Sequence, residues 1–463
     1  MKTFSLALRN LLRNRRRSLT TLLAMVIGLT AILLFGGYRS NITHGIESGF
    51  IQSTGHLQIQ HQNYYLEGGD NPTAYGIPDY QHIIDVVSHD PELAPYLRVV
   101  TPTLQLGGLA GNFAAGISRS VFAVGVVPEQ RSQMEKWNDY GLVSYVKPLQ
   151  LSGTSADSVV IGDGLARKLK LCNALHMTGC VQSDTPVSAA PGAAAPDDIA
   201  ALSDLAQGDL QKETGTRIEM LASTAHGAPN VASLSVVSSR NMGIKALDDV
   251  YLAMHLSQAQ RLIYGSNAPQ VTAIQIQLHH TSQIPVVQAR LQKLITERFP
   301  GQPLEIQDFK TLNPMFGQTA QFMNSMFGFI ATLIAVIVLF TIGNTMSTAV
   351  VERTVEIGTL RAMGLRRAGL RNLFLCEGIL LGLIGAAAGV ISALGIAYLI
   401  NHSGLSWTPP GYSDAYLILV RVWQDPGLLA GSVLGLVVVT VISAWWPANR
   451  ASKMMIVDAL RHV

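Results

Sequence analysis

Apolar runs separate long polar stretches along this chain, and four of them, Ser18–Phe35, Phe322–Val351, Leu373–Ile400 and Gly427–Ala448, approach the length of a bilayer-crossing helix. The second run has an uncharged centre from Phe327 to Ile342. The third carries Gly382, Gly385 and Gly389 around three alanines, small residues that let helices approach closely in lipid. The fourth ends in Trp445–Trp446, rings suited to the headgroup level. The basic start followed by the first run could also describe a cleaved signal peptide. Its core is long for that purpose and no clear small-x-small site follows, so a membrane helix is the expected reading.

Between the first and second runs the pattern changes. HLQIQ (56–60), SVFAVGVV (120–127), SVVIG (158–162), SLSVVSS (233–239) and VTAIQIQL (271–278) alternate as strands do. DYQHIIDVVSHDPEL, GLARKLKL, LSQAQRLI and IPVVQARLQKLITERF have the spacing of short amphipathic helices. The expected fold is therefore an α-helical membrane domain of four transmembrane helices, with a large α+β domain inserted between helices 1 and 2. The stretch Thr185–Gly208 is of low complexity and reads as a loop.

Charge then orients the chain. Residues 1–17, 352–372 and 449–463 hold 14 basic and 3 acidic side chains, a net +11 in 53 residues, whereas residues 39–310 hold 18 basic and 24 acidic, a net −6. The excess of Lys and Arg in short segments places both termini and the 352–372 loop in the cytoplasm. The boundaries read from this pattern are a cytoplasmic amphipathic helix at 1–17 and spans at 18–38, 316–351 (with a stalk), 373–400 and 427–448. An external domain covers 39–315, an external loop 401–426 and a cytoplasmic tail 449–463. Phe4, Leu8, Leu11 and Leu12 give the first segment an apolar face for the inner surface. Beside a membrane helix, such a basic segment suits lipid headgroups, and no nucleic-acid partner is expected.

Candidate chemistry is sparse. The sequence contains no G-x-x-x-x-G-K-[ST], no G-x-S-x-G and no H-E-x-x-H. His44, His56 and His61 are near in sequence, but His56 and His61 have opposite strand parity and would face opposite ways. No catalytic, cofactor or metal site is expected, and the chain does not read as an enzyme. Cys172 and Cys180 lie on the side where disulfides persist and could form a local bridge or remain two thiols. Cys376 reads as a small apolar filler in the third run. Glu377 is an ionisable group inside that run, so it either takes part in transport or positions helices.

The most informative passage is VERTVEIGTLRAMGLRRAGLRNLFLCEGILLGLIGA (351–386). Ile357, Leu360 and Leu365 give an apolar edge among Glu356, Arg361, Arg366 and Arg367, and a short amphipathic helix ending at Gly364 is expected. The E-I-G-x-L-R-A-M-G order resembles the signature of the FtsX-like permeases, the MacB/LolC/FtsX type of ABC transporter subunit. PANRASKMMIVDALRH resembles that family's ending, in which a proline-led stretch leaves the last helix. VIGDGLARKLKL and MGIKALDDVYLAMHLSQAQRLI resemble two of its periplasmic segments, and GFIQSTGHLQIQHQNYY resembles the lipoprotein-releasing LolC/LolE group.

The resemblance implies a bacterial inner-membrane permease subunit paired with a second copy or paralogue, with ATP and Mg held by a partner ABC ATPase. Its coupling helix would be formed by Glu356, Ile357, Gly358, Leu360, Arg361, Met363 and Gly364. Motion would pass through the second helix, by a stalk around Leu312–Gln321, to the periplasmic domain, which could meet a periplasmic carrier or adaptor. The implied task is extraction or export of lipoprotein or amphipathic substrate. Alternatives are a MacB-like tripartite efflux permease and FtsX-like signalling to a cell-wall hydrolase.

Overall fold

A computed structural model describes residues 9, 15–69, 71–142, 148–177, 216–408, 411 and 415–454. The amphipathic segment at 1–17 (beyond residues 9 and 15–17), the 185–208 loop, Cys180 and the end of the tail lie outside the described residues. Two compact units emerge, one of residues 1–45, 315–407 and 416–463, the other of 46–314 and 408–415.

The chain begins with helix α1, Arg15–Thr54. This helix is longer than the span expected at 18–38, because the polar stretch after Tyr38 contains no proline and keeps helical spacing. Ser40, Glu47, Ser48, Ile51 and Gln52 are all buried along one side of it. The mixed unit follows with β1 (Leu57–His61), α2 (Tyr80–Ser88), β2 (Leu97–Asn112), β3 (Ile117–Val126) and α3 (Pro128–Glu135). Next come β4 (Ser158–Gly162), α4 (Asp163–Lys168), β5 (Arg217–Ser223), β6 (Pro229–Arg240) and α5 (Lys245–Asp248). It closes with β7 (Tyr251–His255), α6 (Leu256–Tyr264), β8 (Ala273–Leu278), α7 (Ile284–Arg298) and β9 (Leu304–Asp308).

All five expected strands and all four expected helices are present, and the strands lie in one nine-stranded sheet ordered β3-β7-β4-β6-β5-β2-β8-β1-β9. The β3–β7 and β4–β6 pairs are parallel, the rest antiparallel. Strand β2 also pairs with β3, so the pairings run β2–β3–β7–β4–β6–β5 and return to β2. Closure of this kind removes strand edges.

His56, just before β1, is fully buried: its Nδ1 accepts the Leu278 N–H at 3.0 Å and its ring meets Trp137 edge-on at 5.1 Å. Burial disfavours the charged imidazolium and pushes its pKa down to about 3. His61, at the end of β1, is half-buried, whereas Leu57, Gln58, Ile59 and Gln60 before it are all buried.

The remaining helices are α8 (Pro314–Glu352), α9 (Thr354–Ala362), α10 (Arg367–His402) and α11 (Pro426–Lys453). Among the described residues four helices, α1, α8, α10 and α11, are long and apolar enough to cross a membrane. Met25, Leu29 and Leu33 of α1 are buried with Val338, Ile342 and Met346 of α8 and with small residues of α10 and α11. A Cβ on Gly389 would lie 2.9 Å from Leu29, and one on Gly382 would lie 2.5 Å from Thr440, so these glycines set the helix spacing. Met25, Leu29 and Leu33 of α1 are thus packed members of the first unit's core.

Helix α11 departs from expectation at its end. The stretch led by Pro447 does not leave the helix, which continues to Lys453. Pro447 removes one backbone donor, but Ala444, Ala448 and Ala451 are buried around it, and such packing lets membrane helices tolerate proline.

Candidate functional site

Helix α9, which follows α8 after Arg353, is built as its sequence order requires. Gly364 has φ +94°, a left-handed conformation that glycine adopts without strain. The Leu365 N–H donates to Leu360 O at 3.1 Å and the Gly364 N–H to Arg361 O at 3.0 Å, the pair of bonds that defines a Schellman ending. The A-M-G-L run is therefore a helix stop. It turns the chain into α10, which starts at Arg367, six residues before the expected span.

Burial divides α9 into two faces. Thr354, Ile357 and Gly358 face inward, and Ile357 packs among Val350 of α8, Leu370 and Phe374 of α10, and Ala448 and Ala451 of α11. Burying one such isoleucine stabilises by about 1.5–3 kcal/mol. Leu360 and Arg361 are half-buried, and the Arg361 guanidinium donates to the Met454 carbonyl. The outward face carries Val355, Glu356, Thr359, Ala362 and Met363, the last 76% exposed. Of the seven residues expected to form a docking surface, Glu356, Met363 and Gly364 are exposed, while Ile357 and Gly358 seat the helix on its own unit. The expected apolar edge is likewise split, with Ile357 inside and Leu365 outside.

Glu377 is 3% exposed, and its Oε1 lies 3.3 Å from Nη1 of Arg353, the residue that precedes α9. Sequence reasoning singled out Glu377 but not Arg353. The available signal was the position of Glu377, about one turn inside the end of a span that follows an arginine-rich loop.

In the mixed unit, the structure brings together two segments far apart in sequence. Asp248 is fully buried in α5, and its carboxylate accepts the N–H groups of Asp163 (3.0 Å), Gly164 (2.7 Å) and Met242 (3.1 Å). VIGDGLA and MGIKALDDV thus meet at one carboxylate that satisfies the first N–H groups of α4. Their role here is structural. Cys172 is in a disulfide, and its expected partner Cys180 lies outside the described residues. Cys376 is a free thiol in α10. Among the described residues no group of three His, Cys, Asp or Glu side chains could hold a metal ion.

The model of the FtsX-like permease C-terminal region matches residues 328–456, and that of the MacB-like periplasmic core domain matches residues 18–176. The macrolide export ATP-binding/permease protein MacB of Bdellovibrio bacteriovorus is 27% identical over 221 residues, 46% of this chain and 31% of that protein. The lipoprotein-releasing system transmembrane protein LolC of Neisseria meningitidis is 26% identical over 267 residues, 55% of this chain and 62% of that protein. In each case the match spans less than two thirds of the relative's length. The solved periplasmic region of MacB from Actinobacillus actinomycetemcomitans aligns with 58% of this chain and 95% of its own, at 11% identity and a TM-score of 0.31.

Proposed function

We propose that this chain is a permease of the FtsX-like, MacB/LolC type and forms the membrane half of a transporter driven by a separate ATPase, a reading supported by the likeness of its residues 18–176 and 328–456 to the two family models. The observation that carries the reading is α9, a short helix seated by one face and presenting Val355, Glu356, Thr359, Ala362 and Met363 on the other. A partner ATPase docks there; ATP and Mg belong to that partner. Its closure shifts α9, and the shift passes through the membrane helices to the mixed unit, which lies on the periplasmic side of a bacterial inner membrane. Two permease chains, identical or paralogous, form the working assembly. The substrate class is lipoprotein or another amphipathic molecule already in the outer leaflet, in keeping with the relative named for lipoprotein release.

Efflux of small hydrophobic molecules with an adaptor and an outer-membrane duct is the second reading, favoured by the relative named for macrolide export. Gentle purification from the native membrane, with mass identification of everything bound, separates the two. An ATPase with lipidated proteins supports extraction; an ATPase with an adaptor and a duct supports efflux. If no ATPase is recovered even after cross-linking with trapped nucleotide, the permease reading fails.

A further inference from the structure

The exposed side of α11 changes character along its length. Val438, Ile442 and Trp446 are exposed at successive four-residue steps, and Arg450 and Lys453 continue the same side, opposite the buried Thr440, Ala444, Ala448 and Ala451. The helix starts at Pro426, so at about 1.5 Å per residue Trp446 stands about 30 Å along it, the thickness of a hydrocarbon core. Arg450 lies about 6 Å further on. Helix α10 runs antiparallel beside it: a Cβ on Gly378 would lie 2.8 Å from that of Ala444, and one on Gly382 2.5 Å from Thr440. Counted from the Gly378–Ala444 contact, Arg371 lies about 10 Å and Arg450 about 9 Å toward the same end, so the two cations reach the same depth. Arg367 and Lys453 stand about one turn beyond them, while Ile379 and Leu383, on the opposite flank of Arg371, are exposed and apolar. All four cations are exposed, and among the described residues none of their side chains is in an ion pair or a hydrogen bond.

Aliphatic, then aromatic, then cationic side chains are what successive depths of a bilayer select: hydrocarbon, headgroup level and phosphate. A docking protein has no need of that order. We propose that Arg367, Arg371, Arg450 and Lys453 form a binding surface for the phosphates of anionic phospholipid at the common end of α10 and α11. Each guanidinium can hold a phosphate through two parallel N–H···O bonds, and Lys453 adds a point charge. Leu370 and Ala451, next to these cations in sequence, belong to the seat of Ile357, so the bound lipid borders α9. The proposal rests on the reading of α10 and α11 as membrane spans and is independent of the ATPase docking assigned to α9.

The test uses the full chain carrying Trp407→Phe and Trp423→Phe, which leaves Trp445 and Trp446 as the indoles of the long helices. In phosphatidylcholine vesicles their fluorescence is quenched by an equal fraction of either brominated phosphatidylglycerol or brominated phosphatidylcholine. The anionic lipid is expected to quench more strongly. Neutralising Arg367, Arg371, Arg450 and Lys453 to Gln, singly and together, should lower that preference by roughly fivefold for each cation removed. If the fourfold variant does not fold, the unneutralised chain at rising salt takes its place, and screening should remove the preference. A preference that survives both neutralisation and salt, or one that is never seen, overturns the proposal. Loss of ATPase recovery from the fourfold variant with the lipid preference intact also overturns it, and gives the surface to the ATPase instead. Absence of quenching by either lipid is a different result: it overturns the reading of α11 as a membrane span, and the proposal with it.

Discussion

His56 shows what one residue's surroundings imply for the whole mixed unit. Its folded pKa, pushed down to about 3 by burial, lies well below the ordinary value of 6.5. Between those values the unfolded chain takes up a proton that the folded site refuses, so stability present above pH 6.5 is lost as pH falls toward 3. The slope reaches about 1.4 kcal/mol per pH unit. The unfolding midpoint of the full chain in detergent is expected to drop on acidification from pH 7.5 to 5. His56→Gln should begin lower at pH 7.5 but fall less, and an unchanged slope would remove His56 as the cause. Asp248 makes a second residue-level case. Asp248→Ala orphans the N–H groups of Asp163, Gly164 and Met242, at roughly 1–3 kcal/mol for each buried donor left unpaired. A clear fall in thermal midpoint is expected, with a smaller fall for Asp248→Asn, whose side-chain oxygen can still accept.

The helix stop at Gly364 and the two faces of α9 yield predictions about an element rather than a residue. Gly364→Ala places a Cβ in a left-handed conformation, costing roughly 1–2 kcal/mol, and frays the end of α9. Met363→Glu puts a charge on the exposed apolar part of the outward face and is expected to reduce ATPase recovery on pull-down. Arg361→Glu removes the bond to Met454 and should act by loosening the seat of α9, so its effect should be accompanied by lower stability, whereas that of Met363→Glu should not. Equal stability losses in the two would contradict the division of faces. The helix itself was legible in the sequence, because its stop is a local motif. The assignment of faces was not, because Ile357 and Met363 are both apolar and only the ends of α8, α10 and α11 decide which is covered. The same distinction separates found from missed strands. SVVIG and VTAIQIQL read clearly, while β2 holds Pro102, Gly107, Gly108 and Gly111, residues that argue against a strand until its partners β3, β5 and β8 are known.

For the molecule as a whole, hydropathy located all four long helices, since twenty apolar residues have few other places to go, but it could not give their lengths. Helix α1 runs to Thr54 on amphipathic spacing and α11 runs through Pro447, both beyond the last residue that composition would assign to lipid. Sidedness rests on a different kind of signal, the +11 net charge spread over 53 residues in three segments against −6 across residues 39–310. The physical cause is that short arginine-rich segments resist transfer across the bilayer, so α9 and the mixed unit are expected on opposite sides. In a Cys376→Ser background, Met363→Cys in α9 and Ser223→Cys at the end of β5 are both exposed positions. A membrane-impermeant maleimide is expected to label Ser223→Cys in right-side-out vesicles and Met363→Cys only in inverted ones. Labelling of both from the same side would mean that an even number of membrane crossings separates them, and α8, the one long apolar helix described between them, could then not be a simple single span.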